Sequence, residues 1–396
     1  MADLPTQGPR AGATYPAEDE TYTDPATGAT VRRLTSYPGA DDTHLYFTED
    51  GWYDDGDRLL FTSDRASGHQ LFSVHLASGL ITQLTDFEAF RGGTTLDHDA
   101  NDAYLRVGDD VVRFDLDRLE ATDVVFTAPD GYRVGDLDVN ADGSALYLAV
   151  GETVDLPGDE RRYVEQMEAR PHTEIRRVPL DGGESEVLVE TDRWASSHVN
   201  ASPTRPELLV YCEEGPWDRV DHRIHTVNAE TGETWRVREV ADDEGVGHEY
   251  WMQDGERVGY HGSRDPQGRD RIDDPEPYMG SARYDDTDHR EMALPDDVYA
   301  LTHTHANSPD RHVCDGSFTG VPFSLLYEWD EASESYAGPR KLATVDWRSG
   351  SPHPHSRFSP DGSQVVFDSD RYDGSSNVYL VDVPAFEALP EYDPDW

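Results

Sequence analysis

Two histidines set between prolines, in Ser351-Pro352-His353-Pro354-His355-Ser356, carry the strongest chemical signal in the chain. In an extended segment residues i and i+2 point to one face, so His353 and His355 present two imidazoles side by side, an arrangement that chelates a metal. Each proline fixes its own φ and turns the preceding residue toward extended geometry, which pre-organises the pair. Neutral imidazole is the commonest metal ligand. Because many histidines are merely solvated or structural, the elements that position this pair decide what it does.

The pair leads into a turn, Phe358-Ser359-Pro360-Asp361-Gly362, and then two short apolar runs, Val365-Val366-Phe367 and Val378-Tyr379-Leu380-Val381. The same pattern of strands split by turn residues runs from Phe47 through Thr85, with weaker copies starting near Leu96, Leu137, His198, His248 and His303. Starts about 50 residues apart, each with a four-strand set, are the mark of a β-propeller. Counting the copy at His353, the reading is an all-β, seven-bladed propeller. The last copy ends after about three strands and a strand at residues 29 to 35 stands alone, so pairing that N-terminal strand with the last blade closes the ring and removes its open edge. Residues 1–21 read as a flexible arm and 22–396 as a single domain; excursions near 151–172, with a short helix within 159–168, and 264–290 read as surface insertions. His44, His198, His248, His303 or His305, and His353 with His355 all fall at or just before the first strand of a blade. First strands line the channel of a propeller, so these histidines are expected to converge on one mouth of it.

Composition narrows the partners. The net charge of −48 comes from 81 acidic and 33 basic residues, of which one, Lys341, is lysine. The acids are spread through the chain without metal-loop spacing, and this lysine-poor balance resembles that of haloarchaeal proteins, where molar salt screens self-repulsion. Such a field excludes nucleic acid, and any anionic substrate needs a local positive site. Cys212 and Cys314 form no disulfide framework. No apolar run of membrane-spanning length and no leader pattern occurs, so the expectation is a cytoplasmic protein with no membrane partner.

Four motifs carry a resemblance to a known family. Glu213-Glu214-Gly215-Pro216-Trp217-Asp218-Arg219-Val220-Asp221-His222-Arg223, then Gly247-His248-Glu249-Tyr250-Trp251, then His303 to Asn307 ahead of Asp315-Gly316, then His353-Pro354-His355, resemble the oligogalacturonate lyases from about residue 22 to the end. The resemblance implies a seven-bladed propeller of pectin degradation that cleaves short α-1,4-linked galacturonates by β-elimination to 4,5-unsaturated products, using a divalent metal, usually manganese. Carried over by position, His353 and His355 match two metal ligands, and His303 or the nearby His305 matches a third. A further ligand of the family, a glutamine, falls at Gly350, which has no side chain. His248 matches the catalytic base and Arg223 the arginine that assists at the substrate, while His198, His44 and Arg357 line the sugar subsites by blade position.

The chemistry stands on its own terms. Removing a proton α to a carboxylate places more negative charge beside an existing one, and a cation on that carboxylate offsets it. Imidazole is a base suited to neutral pH, and a guanidinium holds a carboxylate in a bidentate way. Metal and arginine together would supply the positive site an anionic sugar needs. The alternatives are a TolB-like propeller that binds a protein or ligand without catalysis, and a lyase for another uronate.

Overall fold

The computed structural model describes residues 4–66, 68–155, 163–215, 219–264, 276–294, 303–316, 321–345 and 353–393. The described strands form seven antiparallel sheets in the order of the seven sequence repeats, the blades of a seven-bladed β-propeller. By internal contacts the chain divides into two compact units: Met1–Pro5, Gly93–Pro275 and Ser281–Arg290 form one, and Thr6–Gly92, Glu276–Gly280 and Glu291–Trp396 form the other.

Period-two alternation explains the packing in each unit. In the first, Leu146, Leu148 and Val150 of the strand Ala145–Glu152 pack with Tyr104 and Val111, while the intervening Tyr147 and Ala149 pack with Leu209 and Val227. In the second, Val365, Phe367, Tyr379 and Val381 join Val313, Leu326 and Leu342, and Val366, Val378 and Leu380 join Leu59, Phe61 and Val74. In these two blades the middle strands are therefore apolar on both faces, because each face is covered by a neighbouring blade of the same unit. That is why the strong repeats read as near-continuous apolar runs.

The closure expected from the sequence is present within the second unit. Thr30–Arg33 pairs with Asn377–Asp382 through Val31↔Val381, Arg32↔Leu380 and Arg33↔Tyr379. Glu20–Thr23 adds a further strand outside it.

Two expectations need correction. Much of the segment read as a flexible arm is held: Thr14–Tyr15 pairs with Ile81–Gln83, the Gly8 N–H donates to the Asp86 carbonyl at 2.7 Å, and Glu18 forms an ion pair with the buried Arg65 at 2.8 Å. Without apolar periodicity the sequence offered no sign of this, because backbone pairing and one buried arginine do the holding. The second excursion is also shorter than expected. Glu276–Arg283 is a strand of the fifth blade, with Tyr278 and Met279 fully buried. The first excursion does contain a helix, Tyr163–Glu168.

One irregularity recurs. In blades three to six the register between the first two strands slips by one, at residues 135–136, 198–199, 248–249 and 306–307. In the seventh the Pro354 carbonyl accepts the Asp368 N–H, yet Arg357 pairs with Val366, so the extra residue lies at 355–356. Such bulges turn a side chain away from its regular face. His198, His248 and His355 occupy these bulges with φ of 51°, 53° and 49°, a left-handed conformation that histidine tolerates better than most non-glycine residues.

Candidate functional site

In the second unit, His303, His353 and His355 each direct one ring nitrogen into a group whose atoms all lie within 4.8 Å of one another. His303 opens the strand His303–Ser308 and stands opposite Asp315. Its Nδ1 lies 3.0 Å from Asp315 Oδ2, and the same oxygen accepts the His355 backbone N–H at 3.1 Å. The fully buried Asp315 therefore ties the strand to the His-Pro-His segment and draws the His303 proton to Nδ1, leaving the Nε2 lone pair for a ligand. Burial, followed by repulsion from His303, His44 and His353, holds the His355 pKa well below the usual histidine value; burial and then His303 lower that of His353. These two imidazoles are neutral at neutral pH and present lone pairs. Three nitrogen donors with a carboxylate behind one of them suit a borderline divalent cation.

Two aromatic residues back this group. Between the paired segments Asp42–His44 and Trp52–Tyr53 the chain leaves the first blade for residues 45–51. There Tyr46 lies edge-on to His355, with ring centres 4.9 Å apart, and Phe47 lies 5.2 Å from His303.

The other residues predicted for this region make different contacts. His305 is outside the group: it is fully buried and its Nδ1 accepts the Phe358 N–H at 3.3 Å, so of the two alternatives His303 is the one with a ring nitrogen in the cluster. His44, expected in a sugar subsite, is buried; its Nε2–H donates to the Pro354 carbonyl at 3.2 Å and its backbone N–H to Asp368 at 3.0 Å. Burial pulls its pKa down to about 4. It braces the His-Pro-His segment. Arg357 donates to the Phe47 carbonyl at 2.5 Å, which pins the aromatic excursion. Gly350 and Trp217 lie outside the described residues.

The first unit holds a second cluster, of opposite electrostatic character. Arg223 is buried between two carboxylates, with Nη2 2.7 Å from Glu214 Oε2 and Nε 3.3 Å from Glu249 Oε2. His198 Nδ1 lies 3.1 Å from the other oxygen of Glu249, and its backbone N–H donates to Asp136 at 2.7 Å. Burial works to raise the Glu249 carboxyl, but the Arg223 charge and the close approach of His198 outweigh it and hold the group well below the usual carboxylate range. For Glu214 burial prevails over Arg223 and the pKa is raised. Among the described residues Arg223 Nη1 is buried without a hydrogen-bond partner, one donor not committed to the acids. His248 is half-buried, with Nδ1 2.7 Å from His261 Nε2 and the two rings stacked 4.9 Å apart. Thus the structure brings His198 and Arg223 together through Glu249, and pairs His248 with a histidine that the sequence reading did not single out.

A family model described as oligogalacturonate lyase (Pectate_lyase22) matches residues 10–271, more than half of the chain. The chain belongs to the oligogalacturonate lyase family. The oligogalacturonide lyase of Pectobacterium atrosepticum is 26% identical over 390 residues, covering 94% of this chain and 98% of that protein. The oligogalacturonate lyase of Dickeya dadantii is 26% identical, covering 92% and 96%. A solved structure, an oligogalacturonate lyase in complex with manganese, superposes with a TM-score of 0.82 at 26% identity, covering 95% of this chain and 98% of that one. A second, from Vibrio parahaemolyticus, gives a TM-score of 0.82 at 23% identity and shows the shared fold of this lyase family.

Within the oligogalacturonate lyase pattern, sequence reasoning missed Tyr46, Phe47, Glu214, Glu249 and His261 as neighbours of the chemistry. Glu214 and Glu249 were within the quoted motifs, and their burial was the hidden signal. His261 had no local signal, since its partner lies across a strand pair.

Proposed function

We propose that this member of the oligogalacturonate lyase family cleaves short α-1,4-linked galacturonate oligomers by β-elimination, with manganese as its divalent metal. The observation that carries the reading is the convergence of His303, His353 and His355, backed by Asp315, in a chain similar to a lyase whose structure contains manganese. Those three histidines would hold the ion. When bound, it supplies positive charge and Lewis acidity at the substrate carboxylate. His248 takes the proton from the carbon α to that carboxylate; the released electron pair forms the 4,5 double bond, and the bond to the leaving sugar oxygen breaks, that oxygen taking a proton from water to leave as a hydroxyl. Arg223, whose charge is fixed in place by Glu214 and Glu249, assists at the uronate. His198 positions Glu249, and His44 and Arg357 support the segments around the metal ligands rather than the sugar itself.

Residues 22–396, with the held part of the N-terminal segment, work as one domain. The two cysteines are buried and unpaired, in keeping with a reducing cytoplasm, and the charge of −48 suits a cell interior of high salt. No described helix is long and apolar enough to cross a membrane.

The test is incubation of the purified protein at high salt with manganese and digalacturonate, following the ultraviolet absorbance of the conjugated product. Absorbance that rises with wild type, needs the metal and is lost in His248→Ala is the expected result. A folded, manganese-loaded wild type that produces no absorbance overturns the assignment of substrate.

A further inference from the structure

His248 does not stand alone. It lies at the bulge between the strands Glu244–Trp251 and Arg257–Arg264, where the register passes from Gly247↔His261 to Tyr250↔Gly259. In a regular strand, residue 248 would point to the face opposite its neighbour 247. The left-handed backbone at His248, φ 53°, brings its ring round to the face of His261 instead. Directly across from His261 stands Gly247, and the two imidazoles stack with centres 4.9 Å apart. His261 is 5% exposed, and its Nε2 approaches His248 Nδ1 to 2.7 Å.

A hydrogen bond between two ring nitrogens requires one to donate and the other to accept. Two arrangements satisfy the distance. If His261 donates, the remaining His248 proton sits on Nε2 and neither nitrogen of His248 offers a lone pair to substrate. If His248 donates from Nδ1, its Nε2 is a base, and His261 Nε2 is the acceptor that holds it so. On the reading of His248 as the base, only the second arrangement works.

We propose that His261 is a positioning residue for the elimination, accepting the Nδ1 proton of His248 and thereby fixing both the tautomer and the ring orientation that leave Nε2 as the proton acceptor. It occupies the place that a carboxylate fills behind the histidine of many hydrolases, with a neutral acceptor. When His248 Nε2 takes up the substrate proton, the charge formed on the ring strengthens the Nδ1–H hydrogen bond, so the support grows as the reaction proceeds. This inference, the choice of tautomer included, rests on the reading of His248 as the base, whereas the tautomer can be measured whether or not digalacturonate is cleaved.

The test joins long-range proton–nitrogen NMR of the histidine rings, in the substrate-free protein at high salt, with steady-state kinetics on digalacturonate in the presence of manganese. The His248 signals are assigned by their loss in His248→Gln. In wild type, His248 is expected to carry its proton on Nδ1, with Nε2 unprotonated. His261→Leu should mix the tautomers and lower kcat about a hundredfold with KM changed less than about threefold. His261→Gln, whose amide oxygen also accepts, should keep the wild-type tautomer and recover most of kcat. A wild-type His248 protonated on Nε2 overturns the proposal, as does a His261→Leu enzyme of unchanged kcat. Should the leucine variant fail to fold, the wild-type spectrum and the glutamine variant still decide. If digalacturonate is not cleaved at all, the NMR result stands by itself, and failure of the lyase reading is separated from failure of this one.

Discussion

The two clusters use burial in opposite ways. Around His303, His353 and His355, burial drives protons off His353 and His355, and Asp315 orients His303, so the group offers lone pairs to a cation. Around Arg223, burial surrounds a permanent cation with Glu214 and Glu249, and the Arg223 charge is strong enough to keep Glu249 ionised against desolvation. The first cluster is built to be completed by a ligand; the second is largely completed by itself. Breaking them should therefore have different signatures: loss of metal affinity in one, loss of fold stability in the other.

The largest effect is expected from Glu249→Gln. Removing one carboxylate from a fully buried pair typically costs about 3–5 kcal/mol, and Glu249 is also approached by His198. Chemical denaturation at fixed salt should show a loss in that range, while calorimetric manganese affinity of the folded fraction stays within about twofold. Equal losses in both would erase the distinction between the clusters. Next is Asp315→Asn, which leaves the three imidazoles but weakens the partner of His303 Nδ1. Manganese affinity should fall about 10- to 100-fold; an unchanged affinity would mean that the histidine group does not depend on its buried carboxylate.

The third effect is read as a slope in pH and concerns proton linkage in the second unit away from the proposed ligands. Tyr336 donates its hydroxyl proton to the Pro309 carbonyl at 2.6 Å, so its oxygen accepts from His312 Nε2–H at 2.9 Å. Burial lowers the His312 pKa to about 3. The unfolded chain takes up this proton near pH 6.5, the folded chain only near the lowered value. Stability contributed by the neutral ring is thus present above pH 6.5 and is lost as pH falls from there toward about 3, at up to about 1.4 kcal/mol per pH unit. His312→Gln, which still donates to Tyr336, should flatten the melting-temperature profile across that window; a profile parallel to wild type would show that His312 is not buried neutral.

Much of this was legible without coordinates. Spaced turn signals and apolar runs determined seven blades, because each middle strand must be apolar on both faces to pack between neighbours, and the unpaired N-terminal strand determined how the last blade is completed. The Pro-His-Pro-His run determined a pair of imidazoles, since proline and strand geometry are local. Three things were decided only by tertiary structure. His303 and His305 are alike in sequence and lie two apart, and what separates them is the backbone N–H of Phe358, 53 residues away, which occupies His305. The acids nearest Arg223 in sequence, Asp218 and Asp221, gave no sign that its buried partners would be Glu214 and Glu249, the latter 26 residues on. His261 meets His248 because a bulge turns one ring onto the face of a neighbouring strand. Local periodicity sets which residues form a strand, but one extra residue in a ladder reverses where a side chain points, and that is settled only when the strands pair.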